Sequence, residues 1–155
     1  MMKPLTFERM RDDEGSAFVG WAGDSVVFAR VDGGLSADLG ARFAAHVEKL
    51  VVGVSGVHYF ADASRMTRYD LLARSAFVRV ALANRRRFES FTFLIWPDEV
   101  SPAARAFASA IGGTVELCQE LGDFEQRLLR HAPLARYRID PNAPERPDVT
   151  ARFSR

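Results

Sequence analysis

The sequence predicts an α/β fold, and three observations carry that expectation. Short, wholly apolar runs alternate with longer stretches of helical periodicity, as strands of a parallel sheet alternate with their crossover helices. Two β-rich runs near the start are separated by a short loop containing glycine, the mark of a hairpin. The 155 residues, 48% hydrophobic and 26% charged, suffice for one ordinary domain with its own core. The expected architecture is a single domain over residues 1–133, with a mainly parallel central sheet, an N-terminal antiparallel hairpin and about four helices.

The elements follow in order. "AFVGW" (17–21) and "SVVFARV" (25–31) flank "AGD" and read as the hairpin. From Ser36, a natural N-cap, Leu39, Phe43, Val47, Leu50 and Val51 recur at helical steps until Gly53. "VHYF" (57–60) is a buried strand, and a long helix is expected from 64 to 86. "FTFLIW" (91–96) is a second apolar strand. "SPAARAFASAIGG" (101–113) is a helix with serine at the cap, proline at its first position and glycines after its end. "TVELC" (114–118) is a third short strand. The next helix carries the capping-box spacing Asp123 to Gln126 and stops at Pro133. With Pro141, Pro144, Pro147 and five arginines, 134–155 reads as an extended or disordered tail.

Composition bounds the function. With 21 basic and 20 acidic residues the formal charge is +1, so no global field draws in nucleic acid or a membrane, and any basic surface is local. Cys118 is the single cysteine, which excludes an internal disulfide and every multi-cysteine zinc pattern. The charged start "MMKPLTFERMRDDEG" and the lack of a long apolar run lead us to expect a cytoplasmic protein. His46, His58 and His131 show no metal-ligand spacing, and no cofactor is expected. The glycine pairs lack the lysine and spacing of phosphate loops and are expected in turns and caps; Trp21 and Trp96 are assigned to packing.

The hairpin ending in Gly33, Gly34 and Leu35, the helix after it, and an apolar strand running into Asp62, Ala63, Ser64 and Arg65 resemble the STAS domain of anti-sigma-factor antagonists over roughly residues 17–131. In that family the residue after the aspartate is phosphorylated by a partner kinase. Ala63 has no hydroxyl there, so the chain is most similar to SpoIIAA-like relatives that keep the fold without a clear phosphosite. The resemblance implies a regulatory or protein-interaction module.

Two sets of residues are candidates for function. Asp62, Ser64, Arg65, Thr67 and Arg68 form the first, where Ser64 and Thr67 are expected to cap the helix beginning at 64. The alternative there is phosphorylation of Ser64, or a free anion, held by the helix terminus with Arg65 and Arg68. The second set lies on the helix itself. Tyr69, Leu72, Ala73, Ala76, Phe77, Val80 and Ala83 form a broad core band at about 100° per residue, while Leu71, Ser75, Val78 and Leu82 form a separate strip bordered by arginines that include Arg74 and Arg79. Either a neighbouring helix covers that strip, or it docks a protein partner or a second copy. The function expected first is a non-catalytic interaction module. The alternative is a binder of a small anionic or apolar ligand at the C-terminal ends of the parallel strands; no nucleophile and base pair points to an enzyme.

Overall fold

Strand pairing follows chain order throughout the described sheet. The computed structural model describes residues 7–95, 101–111 and 114–140. Among these, β1 (Glu8–Arg11), β2 (Gly15–Trp21), β3 (Val26–Leu35), β4 (Val57–Tyr69), β5 (Phe88–Leu94) and β6 (Val115–Cys118) form one sheet in that order. β1, β2 and β3 pair antiparallel, and β3 to β6 pair parallel. Parallel neighbours need crossovers. These are α1 (Ala37–Val51), α2 (Leu71–Ala83) and α3 (Ser101–Ile111), followed by α4 (Leu121–His131) and α5 (Ala135–Ile139). The α/β class, the hairpin and the mainly parallel sheet are as the sequence predicts.

Right-handed crossovers between successive strands deposit their helices on one face of a sheet. Phe43 and Val47 of α1, Ala81 of α2, and Phe107 and Ile111 of α3 accordingly share one core with Val27, Tyr59 and Phe91. On the opposite face Phe124 and Leu128 of α4 and Ala135 of α5 pack on Phe18, Phe28 and Phe60. α2 is the middle helix of its layer, close against α1 and loosely against α3.

Ser36 caps α1 as expected, its Oγ accepting from Leu39 N at 3.0 Å. The same hydroxyl donates to Asp12, which also accepts the amides of Glu14 and Gly15, and these bonds hold the Asp12 carboxyl below the usual range. The β1–β2 turn is thereby tied to the start of α1.

Four expectations need correction. β1 was not anticipated, because it is a short edge strand whose sequence, ERMR, buries only Met10. Gly33 and Gly34 lie inside β3 rather than in a turn; Gly33 takes φ +77 where the β3–β4 register slips, a conformation glycine adopts without strain. The helix expected from 64 to 86 begins at Leu71 and gives way to a 3-10 turn at Arg85–Arg87, because β4 runs on to Tyr69. Finally, residues 135–139 of the expected tail are helical: Ala135 is buried, and Arg136 pairs with the buried Glu125 of α4. Trp21 is buried as assigned, while Trp96, Gly112, Gly113 and 141–155 lie outside the described residues. No described helix is long and apolar enough to cross a membrane.

Candidate functional site

The stretch 62–68 is strand, and this decides what its side chains do. β4 continues past the end of β5 by pairing with the last residues of β3, Asp32 with Arg65, Gly33 with Met66 and Leu35 with Tyr69. Asp62 is buried: Oδ2 accepts from Arg30 Nε at 3.2 Å, and Oδ1 accepts both the amide (2.9 Å) and the hydroxyl (2.6 Å) of Ser64. Ser64 is 4% exposed, so its hydroxyl serves a carboxylate inside the sheet and not a helix terminus. Arg65 pairs with Asp32 at 3.7 Å, and Arg68 with Glu14. Thr67 is exposed on the strand. Neither Ser64 nor Thr67 caps α2. That role falls to Asp70, whose Oδ1 accepts from Leu72 N at 2.8 Å. The expected group therefore divides into a buried pair, Asp62 and Ser64, joined by the half-buried Arg30, and two surface ion pairs across the hairpin arm.

α2 is set by its approach to α1. A Cβ placed on Gly40 would lie 2.2 Å from Cβ of Ala73, so α2 must turn its small residues toward α1. Ala73 and Ala81 are consequently its buried residues, with Phe77 and Val80 packed part-buried on the core. Leu72, expected in the core band, is 68% exposed, and Ala83 is exposed as well. The second strip divides too. Val78 packs partly on the core, and Arg74, Ser75, Val78, Arg79 and Leu82 form one wall of a groove completed by Ala106, Phe107 and Ala110 of α3. Its volume is about 390 Å³. Leu71 remains outside, 65% exposed, and Leu82 is 39% exposed at the groove's edge. The neighbouring helix thus covers the strip only in part.

Beneath α2 lies a second space that sequence reasoning missed. This cavity of about 120 Å³ has an almost wholly apolar wall, with Ala29, Phe43, Tyr59, Ala61, Phe77 and Phe93 among its lining. Its one sequence signal is the set of alanines, Ala29, Ala61 and Ala73, which leave room that larger side chains would fill. Arg74 and Phe107 belong to both this cavity and the groove.

On the other sheet face the rings of His58 and His131 stack with centroids 4.0 Å apart, and His58 Nδ1 lies 2.8 Å from Ser90 Oγ. Burial, then the neighbouring His131, holds His58 below the usual histidine value. Cys118 is buried in the same core, and burial followed by the Asp123 carboxylate pushes its thiol up to about 12, the state of an inert apolar side chain. Among the described residues no group of three His, Cys, Asp or Glu is placed to hold a metal.

No family model matches the chain, and no curated protein matches it. Solved structures do. An uncharacterised protein of the DUF3478 family with a SpoIIAA-like fold, from Shewanella loihica, superposes with a TM-score of 0.56 at 12% identity, covering 79% of this chain and 92% of that one. An anti-sigma factor antagonist from Mycobacterium paratuberculosis gives a TM-score of 0.52 at 11% identity, covering 82% and 97%. At these identities the likeness concerns the fold, and with the strand order and the hairpin it establishes that this chain has a SpoIIAA-like, STAS-type fold.

Proposed function

We propose that this chain is a non-catalytic regulatory module that docks a protein partner through α2 and its groove with α3, beside the end of β4. One observation carries the reading: α2 leaves Leu71 and Leu72 about two-thirds exposed and sets Leu82 at the edge of an arginine-lined groove. A helix whose only task was to cover the sheet would turn such residues inward, and exposed apolar clusters rimmed by polar groups are typical of docking sites. Likeness of fold to an anti-sigma factor antagonist adds regulation through protein contact. Burying each leucine contributes roughly 1.5 to 3 kcal/mol before ordering costs.

The test is a photo-crosslinking amino acid at Ser75, with an exposed α1 position, Ala45, as control. The expected result is a discrete partner captured from Ser75 alone, which binds the purified chain and is lost on Leu82→Glu. Equal capture from both positions, or binding indifferent to Leu82→Glu, contradicts the reading.

A second reading is favoured by the cavity under α2. Its volume of about 120 Å³ and aromatic lining suit a small apolar molecule; a dry cavity of about 150 Å³ is known to hold benzene. A thermal-shift series with benzene, short-chain fatty acids and inorganic phosphate checks it. A rise in melting temperature with the apolar probes, abolished by Ala61→Leu, supports this reading, and no rise counts against it.

A further inference from the structure

We infer that the groove between α2 and α3 receives an acidic amphipathic helix from a different protein; this rests on the docking role proposed for α2. Charge is the first argument. α2 carries Arg74 and Arg79, the 3-10 turn Arg85, Arg86 and Arg87, and α3 Arg105, yet none of these elements contains a carboxylate. In a chain whose formal charge is only +1, these six arginines without a carboxylate are a local excess, and Arg74 and Arg79 bring it into the groove wall itself. The acidic residues that meet the ends of α2 are engaged: Asp70 caps it, and Glu48 of α1 accepts from Asn84 at 2.9 Å.

Shape is the second. Buried Phe107 forms part of the lining with Val78, one wall bears guanidinium groups, and the other presents Ala106 and Ala110, whose small side chains let an incoming backbone come close. Ser75, Val78 and Leu82 recur at helical steps along the groove. A helix with apolar residues three and four apart and glutamates on its flanks meets both features.

A second copy of this chain fits poorly. Pairing α2 with its own copy would set Arg74 and Arg79 against identical arginines with no carboxylate between them. The helices of this chain that carry carboxylates, α1 and α4, balance them with as many basic residues and already use their apolar sides, Phe43 and Val47 or Phe124 and Leu128, for the core. Duplex nucleic acid would meet Val78, Phe107 and the alanines of α3 along the groove, where it needs phosphate contacts.

The experiment uses the full chain and a fluorescein-labelled synthetic helix of about 14 residues, near the length of α2, with leucines at i, i+3, i+4 and i+7 and flanking glutamates. Controls are a lysine-for-glutamate peptide, a scrambled peptide and a duplex DNA fragment. The acidic peptide should bind about tenfold or more tightly than the lysine peptide, weaken as salt is raised, and lose that preference to the lysine peptide in the Arg74→Glu/Arg79→Glu variant. Circular dichroism melts confirm that the variant is folded. Acidic binding no tighter than lysine or scrambled binding, an unchanged preference in the variant, or tighter binding of DNA overturns the inference. If a partner crosslinks at Ser75 but the acidic peptide neither binds nor competes with it, this inference fails and the docking role stands. If nothing crosslinks there, the docking role itself fails.

Discussion

α1 and α2 lie side by side on the same sheet face, yet they are built on different rules. α1 has a single apolar stripe, Leu39, Phe43, Val47 and Val51, all of it buried, and a serine cap tied to the preceding turn. α2 buries two alanines and shows its leucines to solvent. α2 is the more apolar helix of the two, so apolar content does not by itself mean burial. The close contact at Gly40 and Ala73 leaves α2 no room to turn a leucine toward α1, and the residues left outside become surface. One helix puts its whole apolar stripe into the core; the other keeps leucines on the surface, and the proposed docking role rests on these.

The largest predicted effect tests that division. Phe43→Ala, in a residue 5% exposed, should cost about 3–5 kcal/mol in denaturant unfolding, whereas Leu71→Ala and Leu72→Ala should each stay within about 0.5 kcal/mol. Comparable losses on the two helices would break the comparison. Next, Gly40→Ala should cost about 1–3 kcal/mol by forcing the helices apart, and Ala73→Gly should recover part of it in a double-mutant cycle. Additive effects would show that the contact does not set the position of α2.

The two candidate caps give a smaller contrast. Asp70→Ala should cost about 0.5–2 kcal/mol and speed amide exchange at Leu72, while Ser64→Ala should leave exchange in α2 unchanged because its hydroxyl bonds Asp62 within β4. Faster exchange at Leu72 in the Ser64 variant would restore the serine to the helix.

The smallest effect sharpens the comparison from the opposite face. His58 sits below the ordinary histidine value, so the fold favours its neutral form and the unfolded chain binds more protons. Its contribution to stability is present above about pH 6.5, the unfolded value, and is lost as pH falls through the folded value. His46, also lowered by burial, adds a slope of the same sign, so the readout is the part of the pH dependence that His58→Asn removes. If that variant keeps the full slope, the His58–His131 stack is not responsible.

The legibility of these features in the sequence follows the same line. α1, the hairpin and β6 were readable because local signals, cap, period and turn residues, agree with their final environment; α4 was readable by its period and its stop, while Asp123, expected to open a capping box, lies inside the first turn and pairs with Arg127. β4 was not readable in this way. "DASRMTRY" holds serine and threonine in a pattern that also suits a helix start, and long-range backbone pairing with β3, Asp32 with Arg65 and Gly34 with Arg68, makes it strand. The arginine-bordered strip was visible as a periodicity, but its groove depends on where α3 lies. The cavity arises from alanines on separate elements, which no single stretch reveals.

The most direct measurement of the central claim is the affinity of the crosslinked partner, purified, for the Leu71→Glu/Leu82→Glu variant, with unfolding free energy measured on the same sample. The account predicts binding weakened by about tenfold or more with stability changed by no more than about 1 kcal/mol. Unchanged affinity in a folded variant would contradict it, and α2 would then be an ordinary crossover helix with its leucines left in water.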